Sequence, residues 1–592
     1  MKRYILFAAS SLMMVSCLDT TVLPVDKIIE EDYWQNKSEV SAMVNGAYQA
    51  MTSADVIERM IVWGELRGDN VNPTTNLSTV KAGIDEINSL NMDDKNTYAS
   101  WATFYNVINK CNLVLDHARD VMSIDPSYSE GNYLSDRSQM LAMRSLAYFY
   151  LVRAFRDVPY SATSFQNSSQ PMETGQASPD SVLTLCIKDL EEAEATALSS
   201  QGFSDWRRYG LLTRDGIRAV LADIYLWRGS MNRSTSDYQK CVDYCNLIIE
   251  SKQAIAEENQ VGRGQISVMQ EDYPIYNYRN AYQQIFISGN SVESVFELQL
   301  NGTYAVNTAV RNLYYMYREN NAPGFLSASK MMGNNVGTDE QYVFKSANDV
   351  RFWESTYSVR NNEADAFAIR KMVGQTQTNF NSSSPKAYSI EPRIESFANF
   401  RQNWIVYRLT DIMLMKAEAL TQLAGDDATI DADENLREAF DLVQAVYTRS
   451  IAVDGEALSA GDYSSKEAME RLVLEERQRE LCYEGKRWFD LMRYSYRHMD
   501  GVDSHSTMAS QHQTLTNSKG EKDANVEDFP AVYKDMITLL SRKYLENAGV
   551  LVYQLTTEPK LYMPISYSEI KVNDNLKQTP GYKSGSDYEK NF

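Results

Sequence analysis

The densest group of chemically active side chains lies between Glu475 and Arg493, in the stretch EERQRELCYEGKRWFDLMR. It holds five acidic and five basic residues: Glu475, Glu476, Glu480, Glu484, Asp490, Arg477, Arg479, Lys486, Arg487 and Arg493. Clustered carboxylates can act as a general acid and a general base, and an arginine can bind a carboxylate through two parallel hydrogen bonds. Because the opposite charges balance, we interpret the stretch as a packed helix whose ion pairs fix one geometry, in preference to a catalytic cluster.

Helical spacing supports this structural interpretation. Three pairs of opposite charge lie three or four positions apart, the spacing at which side chains on one helix meet: Glu475–Arg479, Glu484–Arg487 and Lys486–Asp490. Apolar residues recur at intervals of seven and four, as on one buried stripe: Leu474, Leu481, Trp488 and Met492. The pattern therefore predicts a helix that buries one face and carries its own ion pairs.

The same stretch resembles the C-terminal signature of the SusD/RagB family, E-R-x-x-E-L-x-x-E-G-x-R-W-F-D-L-x-R. The matching residues are Glu476, Arg477, Glu480, Leu481, Glu484, Gly485, Arg487 to Leu491 and Arg493. Near the end of the chain, Leu561 to Ser566 and Asn573 to Tyr582 are similar to the closing segment of that family. Its members are outer-membrane lipoproteins that capture glycans or other nutrients for a partner transporter. The resemblance implies a scaffold role for the charged stretch and a protein that is not an enzyme.

Composition excludes one class of partner. The 592 residues carry a net charge of −21, which repels phosphates, and no basic stripe offsets it, so nucleic-acid binding is not expected. The four histidines are scattered or lie in a polar segment, so the sequence predicts neither a metal site nor a Ser/His/Asp triad, and no cofactor. The 38 tyrosines suit surfaces that stack on flat or ring-shaped ligands.

The first residues are typical of an exported lipoprotein. Residues 1–16 combine two basic residues, a short apolar run and small residues, as a signal peptide does. Met14-Val15-Ser16-Cys17 is similar to a lipobox, so Cys17 is the predicted lipid anchor and residues 17–31 the tether. Plain secretion with a free Cys17 is the alternative. Five cysteines remain, a poor disulfide framework, and Cys241 and Cys245 are expected to be buried thiols rather than metal ligands.

The rest of the chain, 32–592, is predicted to form one mostly α SusD-like domain. Its helical core covers 32–254 and 401–499, with helix pairs similar to tetratricopeptide repeats at 213–250 and 405–449. A loop-rich insertion with a few short strands is expected at 255–400, where Val292 to Leu300 alternates like a strand. The family segment 500–592 closes the chain, and residues 500–530 are polar enough for disorder or a flexible lid.

Six residues are predicted to contact a ligand. Sugars present apolar C–H faces and polar edges, so aromatic platforms beside carboxylates and amides suit them. The candidates flank the polar segment 71–96 or lie in the insertion: Asp69, Asn70, Tyr98, Trp101, Trp353 and Tyr357. Asp69 and Asn70 belong to an E-L-x-x-D-N pattern of the family, and Trp101 begins its W-x-x-x-Y-x-x-I-x-x-x-N helix. In the Asp349-Val350-Arg351 segment, a structural ion pair is expected instead.

The resemblance implies a function. It predicts a lipid-anchored protein on the outer membrane, facing the cell exterior, that captures oligosaccharides for a SusC-like TonB-dependent transporter. Capture of peptides or other nutrients, and a repeat scaffold that binds only protein, are the alternatives. A glycoside hydrolase would need two carboxylates roughly 5–10 Å apart across a cleft, and no acid pair stands in such a context.

Overall fold

The structure is a computed structural model, and the residues that it describes are 33–74, 81, 83–89, 91–166, 170, 173–260, 273–315, 324–333, 342–346, 348–358, 367–378, 389–392, 400–452, 456–498, 536, 539–540, 543, 561–579 and 582. All structural statements below concern these residues. The predicted signal peptide 1–16, the lipid anchor Cys17, the tether 17–31 and the segment 500–530 lie outside them.

Helices form most of the described chain, as predicted. In chain order they are α1 (Lys37–Met51), α2 (Ala54–Ile61), α3 (Ile84–Asn88), α4 (Ala102–Ile124), α5 (Glu130–Phe155), α6 (Pro179–Thr196), α7 (Arg207–Gly210), α8 (Arg214–Asn232), α9 (Thr235–Gln260), α10 (Thr308–Tyr314), α11 (Lys330–Gly333), α12 (Val350–Ser355), α13 (Leu409–Leu423), α14 (Glu434–Arg449), α15 (Lys466–Leu481), α16 (Arg487–Arg497) and α17 (Tyr567–Val572). Two π-helices, Val62–Leu66 and Gln283–Ser288, interrupt the series.

Short strands supply the remaining regular structure. They are β1 (Val71–Pro73), β2 (Val158–Pro159), β3 (Gln176–Ala177), β4 (Ser294–Leu298), β5 (Leu326–Ala328), β6 (Thr356–Ser358), β7 (Phe367–Ile369), β8 (Gly374–Thr378), β9 (Ser389–Pro392) and β10 (Trp404–Arg408). Four of them form an antiparallel sheet in the order β1-β5-β7-β6, and the others pair as β4 with β10, β2 with β3 and β8 with β9. The insertion therefore holds short strands, as expected.

Local sequence signals set where the long helices begin. Asn36 caps α1 by accepting from two backbone amides, and Glu39 reaches back to the cap, which completes a capping box. Ser178 caps α6, with Pro179 in its first turn, as the sequence predicts. Asp433 caps α14 in the same way. These side chains satisfy amides that have no partner within a helix.

The helices pack as successive pairs. α4 packs on α5 and α5 on α6, while α8 packs on α9, α9 on α13 and α13 on α14. Ala219 and Ala222 are fully buried on α8, where small side chains let neighbouring helices approach. Cys241 and Cys245 are free, buried thiols with their Sγ atoms 4.0 Å apart on α9, as predicted. The stacked pairs form a stiff frame on which connecting segments are mounted.

Three predicted boundaries are wrong. The expected helix over 405–423 begins only at Leu409, because residues 404–408 pair as a strand with β4 and bury all five side chains. Helix α9 continues to Gln260, beyond the predicted core boundary at 254. The charged stretch is two helices, since Tyr483 and Gly485 take positive φ values of 67° and 71° between them.

None of the helices in the described ranges combines the length and apolar character needed to span a membrane.

Candidate functional site

The charged stretch lies inside the protein and is fully engaged there. Glu480 accepts hydrogen bonds from Arg408 at 2.6 Å and Arg351 at 3.0 Å, and it also pairs with Arg449. Burial alone would raise its pKa, but the guanidinium groups of Arg449, Arg408 and Arg351 outweigh burial and hold the pKa well below its ordinary value. Glu480 is therefore a fixed anion with no solvent access, which confirms the structural interpretation over the catalytic one.

The ion pairs mostly join distant segments rather than neighbours on one helix. Of the three helical pairs predicted, Glu475–Arg479 forms at 3.8 Å. The other two are wrong, because the turn between the helices redirects their side chains. Glu484 pairs with Arg408 at 2.7 Å and Lys371 at 2.6 Å, while Lys486 pairs with Asp411 at 2.9 Å. Arg487 pairs with Asp69. Asp490 pairs with Arg477 and Arg493.

The expected pair in the Asp349-Val350-Arg351 segment is part of this network. Arg351 donates to both carboxylate oxygens of Asp349, at 2.9 and 2.8 Å, which confirms the structural pair. A cavity beside them, lined by Arg351, Arg408 and Glu480, measures about 20 Å³. Such a volume holds about one water molecule and no sugar ring. The network is scaffold, and a ligand site must lie elsewhere.

Three of the predicted ligand residues belong to that scaffold. Asp69 and Asn70 are 0% exposed: Arg487 binds both oxygens of Asp69, and Asn70 bonds Glu65 and Gln478 at 2.7 and 2.9 Å. Tyr98 is also buried, with its hydroxyl on Glu58. Because these side chains are buried and already paired, a ligand in solvent does not reach them in this structure.

Trp101 lines a cavity, unlike those three residues. It caps the start of α4, where its indole meets the ring edges of Tyr105 at 5.6 Å and Phe155 at 5.3 Å. Although Trp101 is only 4% exposed, its accessible edge faces a cavity of about 140 Å³. The other walls come from α4, from the segment after α5, and from α17 with the residues that follow it: Tyr105, Pro159, Tyr160, Ser161, Phe165, Thr174, Glu569, Asn573 and Leu576. We call this space the aromatic cavity.

The aromatic walls are held rigidly. Tyr105 donates its hydroxyl to the Pro159 carbonyl at 2.6 Å, which fixes the segment after α5 against α4. Tyr160 packs its ring on Tyr148, with centroids 4.6 Å apart. The backbone of Phe165 is clamped at both its amide and its carbonyl by Asn109, at 2.7 and 3.0 Å. Flat side chains with fixed orientations lose little entropy when a ring stacks on them.

Polar groups stand at the C-terminal wall of the aromatic cavity. Burial raises the pKa of the Tyr105 hydroxyl well above its ordinary value, and nearby Tyr148 and the Glu569 carboxylate add to this effect. Asn573 donates to the Thr174 carbonyl at 3.0 Å, which ties α17 to the strand region before α6. Aromatic faces beside a carboxylate and an amide are what a sugar ring requires.

Trp353 and Tyr357 lie on elements separate from this cavity. Trp353 is half-buried on α12, with its ring against the edge of Phe352 at 4.6 Å. Tyr357 is in β6, opposite Ala368 of β7. Trp353 is not among the described residues that line the aromatic cavity. Ligand contact by these two residues, and by Trp101, stays a prediction.

Sequence reasoning missed most walls of the cavity. Tyr160 and Phe165 follow a helix that ends at a proline, where the sequence gives only a stop signal. Tyr105 and Asn573 stand within family-like patterns, which predict a helix and a closing segment but no ligand contact. The signal that could have found them is their position in segments that resemble the family, but nothing in the sequence shows that these segments meet.

Comparison with known proteins decides the family. A model described as the SusD family matches residues 276–582, more than half of the chain. The chain belongs to the SusD family. A second model, described as "Starch-binding associating with outer membrane", matches residues 24–226. The two matches together cover both halves of the SusD-family chain and confirm the prediction made from the charged stretch.

Curated relatives match about four fifths of this SusD-family protein at low identity. SusD-like protein P38 of Formosa agariphila is 24% identical over 483 residues, which cover 80% of this chain and 86% of the relative. SusD-like protein P2 of the same organism is 23% identical over 515 residues, which cover 83% and 91%.

Solved structures confirm the fold. A SusD superfamily protein from Bacteroides thetaiotaomicron superposes with a TM-score of 0.62 at 20% identity, covering 93% of this chain and 99% of that one. A protein described as a laminarin binding SusD-like protein superposes with a TM-score of 0.59 at 18% identity, covering 93% and 100%. The mostly α SusD-like architecture predicted from the sequence is therefore correct.

Proposed function

We propose that this SusD-family protein is a lipid-anchored protein of the outer membrane that captures oligosaccharides in the aromatic cavity. The observation that carries the proposal is the cavity itself, in which Trp101, Tyr105, Tyr160 and Phe165 surround a space that also meets Glu569. Rings of this kind bind the C–H faces of a sugar, while the carboxylate accepts from its hydroxyls. The starch-binding description of the second family model and the laminarin-binding neighbour support the same class of ligand.

The side chains that line the cavity support binding without catalysis. A glycoside hydrolase places two carboxylates across the scissile bond, one as the acid and one as the base or nucleophile. Glu569 is the single carboxylate among the described residues that line the aromatic cavity. Glu480, in the charged network, is held as an anion by three arginines and is buried, so it is not a proton donor for a sugar. We therefore assign this protein a binding role.

The remaining parts of the proposal rest on the sequence and the family. Cys17 would carry the lipid, residues 17–31 would span the distance from the bilayer, and the domain would face the cell exterior. A SusC-like TonB-dependent transporter would receive the captured oligosaccharide. Association with the outer membrane is named in the description of the matching family model. Several copies on one membrane would raise the effective affinity of weak single sites.

One experiment tests the binding role directly. The purified protein is probed on an array that carries neutral oligosaccharides, acidic oligosaccharides and peptides, and bound ligands are then measured by isothermal titration calorimetry. We expect binding of an oligosaccharide with a Kd between micromolar and millimolar, because sugar contacts are wet and individually weak. Incubation should release no shorter product. Binding of peptides alone, or cleavage of the glycan, would overturn the proposal.

A further inference from the structure

Trp206 is an aromatic residue exposed far from the aromatic cavity. All eight tryptophans lie among the described residues, and Trp206 is 51% exposed, whereas the others are buried or half-buried. It stands at the N-terminal end of α7, in the segment between α6 and α8. An exposed indole leaves apolar surface in contact with water, which costs free energy. Binding of a ligand to this surface would remove that cost.

The exposed indole is held in one place. Its backbone carbonyl accepts from the amides of Tyr209 and Gly210, at 3.1 and 2.7 Å. A Cβ added to Gly210 would lie 2.8 Å from Trp206 Cε3 and 2.5 Å from Gln299 Cγ, so the indole and the glutamine both rest against this glycine. Any side chain at 210 would displace them. The indole of Trp206 therefore packs against Gly210 in one position, because glycine has no side chain to occupy that space.

A polar cavity opens at the beginning of the same segment. It measures about 280 Å³, and its walls include Gln201, Arg214, Asp215, Arg218 and Leu247. Leu247 is 37% exposed and supplies an apolar surface within it. The cavity shares no lining residue with the aromatic cavity. We call this cavity together with Trp206 the Trp206 face.

The arginines of the Trp206 face are fixed by contacts that leave part of each guanidinium directed to the cavity. Arg218 donates its Nε to Glu194 at 2.7 Å, and Arg214 donates to the carbonyls of Glu194 and Ala197 at 3.4 and 3.3 Å. On the opposite wall, Ser251 donates to Asp215 at 2.8 Å. Donors and acceptors thus stand together in one cavity, and each sugar hydroxyl both donates and accepts.

The charges of this cavity favour an uncharged ligand. Among the described lining residues Arg214 and Arg218 stand beside Asp215 and Glu250, and Arg218 also pairs with Glu194, so neither sign of charge dominates the cavity. An anionic ligand would meet the two carboxylates, and a cationic ligand would meet the two guanidinium groups. A neutral polyhydroxylated molecule satisfies both sets without a net charge.

The two parts of the face are within reach of one ligand. Gln201 and Trp206 are five residues apart, so even a fully extended chain separates them by no more than roughly 18 Å. The turn formed by Ser200–Gly202 shortens that span. A short oligosaccharide can therefore fill the cavity at one end and stack on the indole at the other.

We propose that the Trp206 face is a second binding site for neutral oligosaccharides, independent of the aromatic cavity. The inference rests on the proposed function in that both sites take glycans. A second site lets one protein hold a longer chain at two points, and the second contact then forms at a high effective concentration. Trp206 supplies the stacking surface, and Arg214, Arg218 and Asp215 supply the hydrogen bonds.

Acrylamide quenching of tryptophan fluorescence tests this site, since Trp206 is the exposed indole. The probes are maltoheptaose and laminarihexaose, with binding measured in parallel by calorimetry on the purified protein. We expect the oligosaccharide that binds to shield the quenchable component, which the Trp206→Phe variant should lack. Trp206→Ala should weaken binding of the oligosaccharide about tenfold. Tyr304→Ala, which removes a ring that is 92% exposed, is the matched control and should change nothing.

The outcomes separate the two proposals. If an oligosaccharide binds but Trp206 stays fully quenchable and Trp206→Ala binds normally, the second site is overturned and the aromatic cavity keeps its role. Such a result would also be expected if the indole contacts a protein instead. If shielding persists when Phe165→Ala is introduced, the two sites are independent, as inferred. If neither probe nor any other oligosaccharide binds, both proposals fall together.

Discussion

Asp69 and Arg487 form a two-pronged ion pair in the interior of the protein. Arg487 donates its Nε to Asp69 Oδ1 at 2.7 Å and an Nη to Oδ2 at 2.9 Å. Burial alone would raise the pKa of Asp69, but the guanidinium outweighs burial and lowers it. The pair joins the segment after the π-helix Val62–Leu66 to the first residue of α16, and so links two segments that are 418 positions apart in the chain.

Replacing Arg487 by lysine should destabilise the fold. Lysine keeps the charge but cannot bind both oxygens of Asp69, and it leaves a buried carboxylate short of donors. We expect the free energy of unfolding in urea to fall by about 3 kcal/mol. Arg207→Lys is the matched control, because Arg207 makes the same two-pronged contact with Asp205 on the exposed surface. Equal effects of the two variants would contradict the argument.

Gly64 should be intolerant of alanine. A Cβ at residue 64 would lie 2.6 Å from the carbonyl carbon of Gly485. That atom belongs to the backbone, so it cannot rotate away as a side chain could. The steric conflict would separate the π-helix from the turn between α15 and α16, so we expect Gly64→Ala to lower the thermal midpoint strongly. Gly46 lies inside α1 with nothing within 4 Å of an added Cβ. Gly46→Ala should instead stabilise the protein by about 0.5–1 kcal/mol, and a shared direction for both variants would refute this explanation.

The sequence was informative where local rules decide the structure. Caps at Asn36, Ser178 and Asp433 and the apolar periodicity of the long helices are properties of neighbouring residues, so helix existence could be predicted. The break at Tyr483 could not, because Gly485 alone does not say whether a helix ends. Contacts with distant residues decide where the helix breaks. The side chains of Glu484 and Lys486 reach Arg408 and Asp411 only after the chain turns.

The candidate site was less accessible to sequence reasoning for a related reason. Asp69 and Asn70 have residue types that suit sugar binding, but their burial depends on a contact with Arg487 and Gln478, more than four hundred positions away. Trp101 was found because it starts a recognisable helix. The walls opposite it, Tyr160 and Asn573, come from segments that only the tertiary fold brings together.

Acid should remove stability through the buried carboxylates. Burial alone would raise the pKa of Asp411, but Lys486 and Arg477 outweigh it and lower the pKa to about 2. Between about pH 4 and pH 2 the unfolded chain therefore binds a proton that the folded protein does not, so falling pH favours unfolding. Asp411 contributes about 2 kcal/mol that is present above this window and lost within it. We expect Asp411→Asn to reduce the slope of the unfolding free energy against pH there by about one proton, and an unchanged slope would contradict the assignment.

Phe165 offers the cleanest substitution in the aromatic cavity. Asn109 clamps the backbone of residue 165, so Phe165→Ala should remove the ring without moving the segment. We expect the Kd for the oligosaccharide identified on the array to rise about tenfold in calorimetry, with the thermal midpoint nearly unchanged. Trp101 is a poorer choice for alanine because its buried ring supports Phe155, so Trp101→Phe is the variant to compare, with a smaller expected loss of affinity. Tyr304→Ala removes an exposed ring outside the cavity and serves as the control. Normal affinity in a folded Phe165→Ala protein would place the glycan elsewhere on the surface.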